Sequence, residues 1–179
     1  MRHGPVLVRE SRLLAEPEST RQPVDRGGAV FIGQHRDDGH AARLSSAAVR
    51  LYLVRHAEAA PGEPDELRRL TPQGREQARG LGQKLDSDGA RPRAILTSPL
   101  LRARETGGEL ARALDVATES DDRLAPGATP DGVRAAIAGR GDEVVIIGHQ
   151  PDCGRIAAAL TGGPEPPFPA AGLFVVELE

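Results

Sequence analysis

Aromatic side chains are nearly absent from this 179-residue chain: three Phe, one Tyr and no Trp make up 2% of it. With 39% hydrophobic and 27% charged residues the balance is still globular, so the core must be built from Ala, Val, Leu and Ile. So few rings leave few platforms on which bases could stack, and a net charge of -3 with a pI near 6.0 supplies no basic field. Nucleic acid is therefore not an expected partner. The single cysteine, Cys153, excludes an intrachain disulfide and a thiolate-rich zinc site and fits a reducing compartment. No stretch approaches the roughly 18 apolar residues of a membrane span, and the start of the chain carries no apolar signal segment of about 7 to 15 residues. The expectation is a soluble, cytoplasmic protein with no membrane contact. Asn is missing and Lys84 is the sole lysine, so arginine supplies 22 of the 23 basic residues. That bias discounts any argument from the mere presence of an arginine.

The length suits one domain, or one domain with an arm. Residues 1–48 are patchy, with Pro5, Pro17, Pro23 and the Gly27-Gly28 pair, seven Arg against six acids, and no sustained period. They read as a poorly ordered N-terminal extension, in which only Ala29–Gly33 (AVFIG) could form a short strand. Residues 49–179 instead alternate apolar runs with helix signals, the pattern of an α/β domain. Strands are predicted at Val49–Val54, Ala94–Thr97, near Val116, at Glu143–Ile147 and at Gly172–Leu178. Helices are predicted to start at Thr71-Pro72 and Thr129-Pro130, each with threonine as N-cap and proline at the first helical position. Two more are predicted over about Pro99–Leu114 and Asp152–Leu160. The unbroken β-branched run EVVII predicts the most buried strand of a sheet covered on both faces.

Only two of the five histidines, His56 and His149, fall in this domain, and both sit just past the end of a predicted strand. Open α/β sheets place ligand sites at the carboxyl ends of their strands. His56 follows Arg55 in LVRHAEA; a guanidinium can hold phosphate oxygens bidentately while the imidazole beside it attacks phosphorus. The dipeptide alone is weak, for MRHG at the start of the chain repeats the letters with no strand before it. In SPLLRARET, Arg102 falls in the first turn of a helix, where an anion is favoured and a cation mildly disfavoured. A solvated surface arginine is the competing reading there, and Arg104, about 200° further around the helix, is expected to be solvated. His149 follows VVIIG, with Gly148 letting the backbone approach a ligand. Metal ligands are too few for a zinc site without carboxylates from elsewhere. There is no G-x-S-x-G elbow, Walker A sequence or complete G-x-G-x-x-G.

In this order and spacing, LVRHAEA, LRRLTPQGREQA, SPLLRARET and IIGHQPD resemble the histidine phosphatase superfamily, and most closely the small SixA-type phosphohistidine phosphatases. The resemblance covers residues 50–179. It implies a three-layer α/β/α sandwich with a mostly parallel central sheet, the phosphoglycerate mutase-like fold. It also implies that His56 is a transiently phosphorylated nucleophile and that Arg55, Arg102 and His149 complete the pocket, with no metal or organic cofactor. Arg68 precedes Leu-Thr as in relatives, which suits contact with a phosphorylated partner. Ala57 stands where the superfamily commonly has glycine. A glutamate often follows the mid-domain Arg-Leu pair of relatives, yet Arg123 and Leu124 lead here into Ala125 and Pro126. Glu58 and Asp65 are the substitute acids, each with a solvated carboxylate as the competing reading.

An imidazole leaving group, with a pKa near 6.5, needs a general acid far less than an alkoxide does, so the gap points to phosphohistidine in a protein. A domain of about 130 residues also has no room for a large lid, and lids are what sequester small substrates. The expected partner is thus a phosphorylated protein or a small phosphorylated substrate, bound by a monomer or homodimer. A broad small-molecule phosphomonoesterase and, from another class, a catalytically idle phosphate-binding module remain the alternatives.

Overall fold

The computed structural model describes residues 48–179, so the extension expected over residues 1–48, with its strand at 29–33, lies outside the described residues apart from Ala48. Five strands form one sheet: β1 (Val49–Arg55), β2 (Ala94–Thr97), β3 (Thr118–Ser120), β4 (Glu143–Gly148) and β5 (Leu173–Leu178). Their order across the sheet is β3-β2-β4-β1-β5, with β5 antiparallel to β1 and every other pairing parallel. Four helices, α1 (Pro72–Ser87), α2 (Leu101–Leu114), α3 (Pro130–Ile137) and α4 (Asp152–Thr161), make the α/β/α layers that the sequence predicts.

Side chains of successive strand residues point to opposite faces, and here both faces are covered. Tyr52, Val54, Ile95, Val145 and Ile147 pack against Ala78, Leu81 and Leu85 of α1 and Ala103 and Leu110 of α2. Leu51, Leu53, Leu96, Val144 and Ile146 pack on the other side against Val133 and Ile137 of α3 and Ile156, Ala157 and Leu160 of α4. Tyr52 and Phe168 are the only aromatics in this described core, so its stability rests on many aliphatic side chains, each large one worth about 1.5 to 3 kcal/mol when fully buried. β4 is buried from Val144 to Gly148, as its β-branched run implies.

Both Thr-Pro helix starts form as expected, the hydroxyls of Thr71 and Thr129 accepting from the backbone N–H of Gly74 and Gly132. Two boundaries differ by more than one residue. α2 begins at Leu101 rather than Pro99, with Leu100 as N-cap. The strand expected near Val116 begins at Thr118 instead. Asp115 ends α2 in the left-handed conformation (φ 53°), and the Val116 N–H bonds the Ala111 carbonyl while its side chain packs on the α1–α2 core. The apolar cue at 116 is therefore the hydrophobic contact that follows a helix C-cap, and β3 proper is an exposed polar edge strand.

Glycines set how closely α1 approaches the loop after β1. A Cβ at Gly74 would fall on the Glu58 carbonyl oxygen and lie 2.9 Å from the carbonyl carbon, whereas a Cβ at exposed Gly80, six residues further along the same helix, meets nothing. Gly74→Ala is therefore expected to lower stability by about 1 to 3 kcal/mol, since backbone cannot yield as a side chain can. Gly80→Ala should raise it by about 0.5 to 1 kcal/mol through helix propensity. Urea melts of the two variants check this pair; a Gly74→Ala protein as stable as the parent would show that the approach is not tight.

Candidate active site

Parallel pairing of β1 with β4 places Arg55 opposite Gly148, and the next residue in each chain is a histidine. The His56 N–H donates to the Gly148 carbonyl at 3.0 Å, which carries the ladder one step beyond the strands. The two imidazoles consequently lie with ring centroids 5.1 Å apart and planes tilted by 56°. β2, on the other side of β4, ends in Thr97 and delivers Ser98, whose Oγ lies 2.8 Å from His149 Nε2 and accepts from the Leu100 N–H at 3.3 Å. Three adjacent strand ends thus converge on one spot, and α2 starts beside it.

The tautomer of His56 follows from its partners. Nδ1 lies 2.7 Å from the Ala57 carbonyl, which can only accept, so Nδ1 carries the ring proton. Nε2 is then the lone-pair nitrogen, and it accepts from Arg102 Nε at 3.3 Å. The backbone of Ala57 is itself held: its N–H donates to Thr106 Oγ1 at 3.1 Å, and the Thr106 hydroxyl donates to the Arg102 carbonyl at 2.7 Å. Thr106 is fully buried and one helical turn beyond Arg102, so a single hydroxyl fastens the histidine loop to the helix that carries the arginine. Sequence reasoning missed Thr106 and Ser98. The i, i+4 spacing of Arg102 and Thr106 on one helix face was the available signal for the first.

Arg102 is buried, 6% exposed, which overturns the surface reading. Its Nη1 donates to the Asp65 carbonyl at 2.8 Å and its Nη2 to Asp65 Oδ2 at 3.0 Å. Asp65 opens a 3-10 turn, Asp65–Leu67, and its other oxygen accepts from Arg68 Nη1 at 2.9 Å. Arg68 also donates to the Ala60 carbonyl through Nε at 2.8 Å, so much of its donor capacity is spent on the loop. Arg55 Nη1 donates to the Phe168 carbonyl at 2.8 Å, tying in the linker before β5. Glu58 stands elsewhere: its carboxylate accepts from the Thr71 hydroxyl at 2.7 Å, at the N-terminus of α1. Arg104 is exposed. A Cβ at Gly148 would meet Cys153 Sγ at 3.5 Å, an ordinary van der Waals contact. At the place of the mid-domain glutamate, Ala125 and Pro126 carry no proton donor, and the Gly127 N–H donates to Asp152 Oδ2 at 2.7 Å.

Charge in the site is mostly positive. Burial, aided by Arg102, Arg55 and Arg68, pushes His56 down to about 4, against the pull of its hydrogen bond to Ala57. Burial also lowers His149 to about 4, with His56 and Arg102 acting in the same sense. The hydrogen bonds from Arg68 and Arg102 hold the Asp65 carboxyl below the usual carboxylate range. At neutral pH the site therefore presents two neutral imidazoles, three guanidiniums and one ionised carboxylate. Among the described residues, the buried side-chain nitrogens and oxygens without a hydrogen-bond partner are Arg55 Nε and His149 Nδ1, both in this cluster. No group of three or more metal-ligating side chains occurs among the described residues, and no helix there is long and apolar enough to cross a membrane.

The buried His149 and the half-buried His56 thus stand side by side at the carboxyl ends of parallel strands in an α/β protein, with three guanidiniums around them. Residues 51–126 match the model of the histidine phosphatase superfamily (branch 1). The chain belongs to the histidine phosphatase superfamily. It is 36% identical over 123 residues to an uncharacterised protein of Picosynechococcus sp., covering 64% of this chain and 74% of that one. It is 28% identical over 141 residues to the phosphohistidine phosphatase SixA of Escherichia coli, covering 73% of this chain and 86% of SixA. The solved structure of the protein histidine phosphatase SixA complexed with tungstate superposes with a TM-score of 0.67, over 72% of this chain and 87% of that one, at 28% identity.

The two histidines yield a pH test. A pKa lowered from 6.5 to about 4 means the unfolded chain takes up protons between those values that the folded chain refuses. The stability they contribute is complete above pH 6.5 and is lost as pH falls toward 4. Both ring resonances in an NMR titration should stay in the neutral form down to pH 5, while the melting temperature declines from pH 6.5 to 5. Midpoints near 6.5 in the folded protein would show that the rings are solvated.

Proposed function

We propose that the protein is a phosphatase that transfers a phosphoryl group to His56 Nε2 and then to water, acting on phosphohistidine in a protein. The observation that carries this reading is the coincidence of a lone pair with unspent donors. His56 Nε2 is deprotonated and faces Arg102, and the two unpartnered buried nitrogens, Arg55 Nε and His149 Nδ1, belong to residues beside it. Buried donors without partners are costly unless a ligand satisfies them, and a phosphoryl group brings three acceptor oxygens. With the Ser98 hydroxyl donating to His149 Nε2, the ring proton of His149 sits on Nδ1, where it can be given to phosphoryl oxygen.

In the first step the His56 Nε2 lone pair forms a bond to phosphorus while the bond from phosphorus to the substrate imidazole nitrogen breaks, its electron pair leaving with the imidazole. In the second, a water oxygen bonds phosphorus, the phosphorus–Nε2 bond breaks, and inorganic phosphate departs with His56 restored; the water gives its proton to solvent. Arg55, Arg102 and His149 spread the charge of the equatorial oxygens, which is where protein groups lower the barrier of phosphoryl transfer. Neither step needs a metal or organic cofactor, since the nucleophile and the charge-spreading donors all come from the chain.

The substrate class follows from the proton inventory. Ala125 and Pro126 supply no acid, and Asp65 is held ionised by two arginines, so it is a poor donor at neutral pH. A phosphoramidate protonated on its leaving imidazole departs without help, whereas an alkoxide does not. SixA, named as a phosphohistidine phosphatase, supports the same class.

The test compares release of phosphate from a phosphohistidine protein and from a panel of sugar phosphates, with trapping of labelled enzyme during turnover. Faster release from the phosphohistidine protein and label on His56 are expected, and His56→Ala should lose about 10⁴-fold or more of the activity, as loss of a nucleophile does. Equal rates on both substrate classes would sink the substrate assignment and favour the broad phosphomonoesterase. Absence of label would favour a binding module.

A further inference from the structure

Asp65 lies in a loop, its side chain is half exposed, and yet it takes both ends of a buried arginine. A guanidinium has two edges able to grip an anion: the end-on edge formed by Nη1 and Nη2, and the side-on edge formed by Nε and Nη2. In Arg102 the end-on edge is occupied by one residue alone, with the Asp65 carbonyl on Nη1 at 2.8 Å and Asp65 Oδ2 on Nη2 at 3.0 Å. What remains on the side-on edge is the Nε hydrogen, aimed at His56 Nε2 from 3.3 Å, and the second Nη2 hydrogen beside it. The side-on edge is thus directed at the atom that would carry phosphorus.

The carboxylate is itself braced. Its second oxygen accepts from Arg68 Nη1 at 2.9 Å, and Arg68 is in turn fixed on the loop backbone by its Nε bond to the Ala60 carbonyl. This produces a relay in which an outer arginine orients a carboxylate and the carboxylate orients an inner arginine. We propose that Asp65 is a positioning residue: it grips the end-on edge of Arg102 and so turns the side-on edge onto the phosphoryl group at His56 Nε2. This rests on the reading of His56 as phosphoryl acceptor. In this role Asp65 neither donates a proton nor binds substrate, and Arg68 serves the site as its brace. The role also explains why a cation buried at a helix N-terminus, where the dipole opposes it, keeps one orientation: without the Asp65 carboxylate Nη2 would lose its partner and the main-chain carbonyl alone would hold the end-on edge.

The experiment is a double-mutant cycle read by vanadate affinity and by kcat/KM on the phosphohistidine protein. Asp65→Ala in the parent should weaken vanadate binding and lower kcat/KM by about 10- to 100-fold, because an ångström of misplacement costs on that order, with the melting temperature unchanged. Asp65→Asn, which keeps an oxygen acceptor for Nη2, should fall between Ala and the parent. In an Arg102→Ala background, Asp65→Ala should cost nothing further, since there is no guanidinium left to orient. Vanadate binding, followed by calorimetry, keeps the cycle readable where turnover becomes too slow. The proposal is overturned if Asp65→Ala leaves both readouts unchanged, if it tightens vanadate, as a competing anion would, or if its full cost persists without Arg102. A parent protein that neither binds vanadate nor labels at His56 would instead overturn the underlying assignment of function.

Discussion

The parallel pairing of β1 with β4 is the constraint from which the rest of the site follows. It fixes Arg55 opposite Gly148 and, through the bond from the His56 N–H to the Gly148 carbonyl, holds the two histidine backbones in register where the ladder ends. Parallel neighbours deliver their carboxyl ends to the same edge of a sheet, so two histidines separated by 93 positions (149 minus 56) meet there without any specific attraction between them. The aliphatic packing on both faces has a functional consequence as well: it fixes the height of the strand ends, and with it the spacing of the two rings.

Around that pair, electrostatics decides protonation. Removal of the imidazoles from water is the largest influence on each, and nearby guanidiniums, three at His56 and two at His149, reinforce it, so the rings stay neutral in a positive surrounding. A neutral imidazole within a cationic cluster leaves the local field attractive to an anion, which suits the proposed role of His56 as phosphoryl acceptor. The single carboxylate, Asp65, is consumed by two arginines and leaves the balance positive. Thr106 adds the remaining control, for it anchors the backbone of Ala57, the residue whose carbonyl decides which ring nitrogen bears the proton.

What could be read from the residues was whatever depends on local order in the chain. Apolar β-branched runs marked β1, β2 and β4, and the two Thr-Pro pairs marked the starts of α1 and α3, because strand burial and helix capping act over a few neighbouring positions. Val116 misled since an apolar residue after a helix can serve the cap or begin a strand, and only tertiary packing decides between them. Arg102 could be placed at a helix start, but its burial could not, because that depends on Asp65, 37 residues earlier in the chain. Ser98 and Thr106 were overlooked for the same reason: hydroxyl residues are common, and what distinguishes these two is a partner brought close by folding. The superfamily resemblance rested on four short segments in order, and those segments turn out to supply the strand ends, the loop and the helix start that surround His56.

The acceptors that steady the arginines are in large part main-chain oxygens: the carbonyl of Phe168 for Arg55, of Asp65 for Arg102, and of Ala60 for Arg68. Every residue possesses that oxygen, whatever its side chain. The two loops that flank the histidines can therefore drift in sequence at Ala60 or Phe168 without losing the anchors, provided the chain keeps its path. Insertions and deletions are a different matter, because they move the carbonyls themselves. Loop length, rather than loop identity, is the quantity on which these anchors depend, and it is the one to preserve when the rim is redesigned.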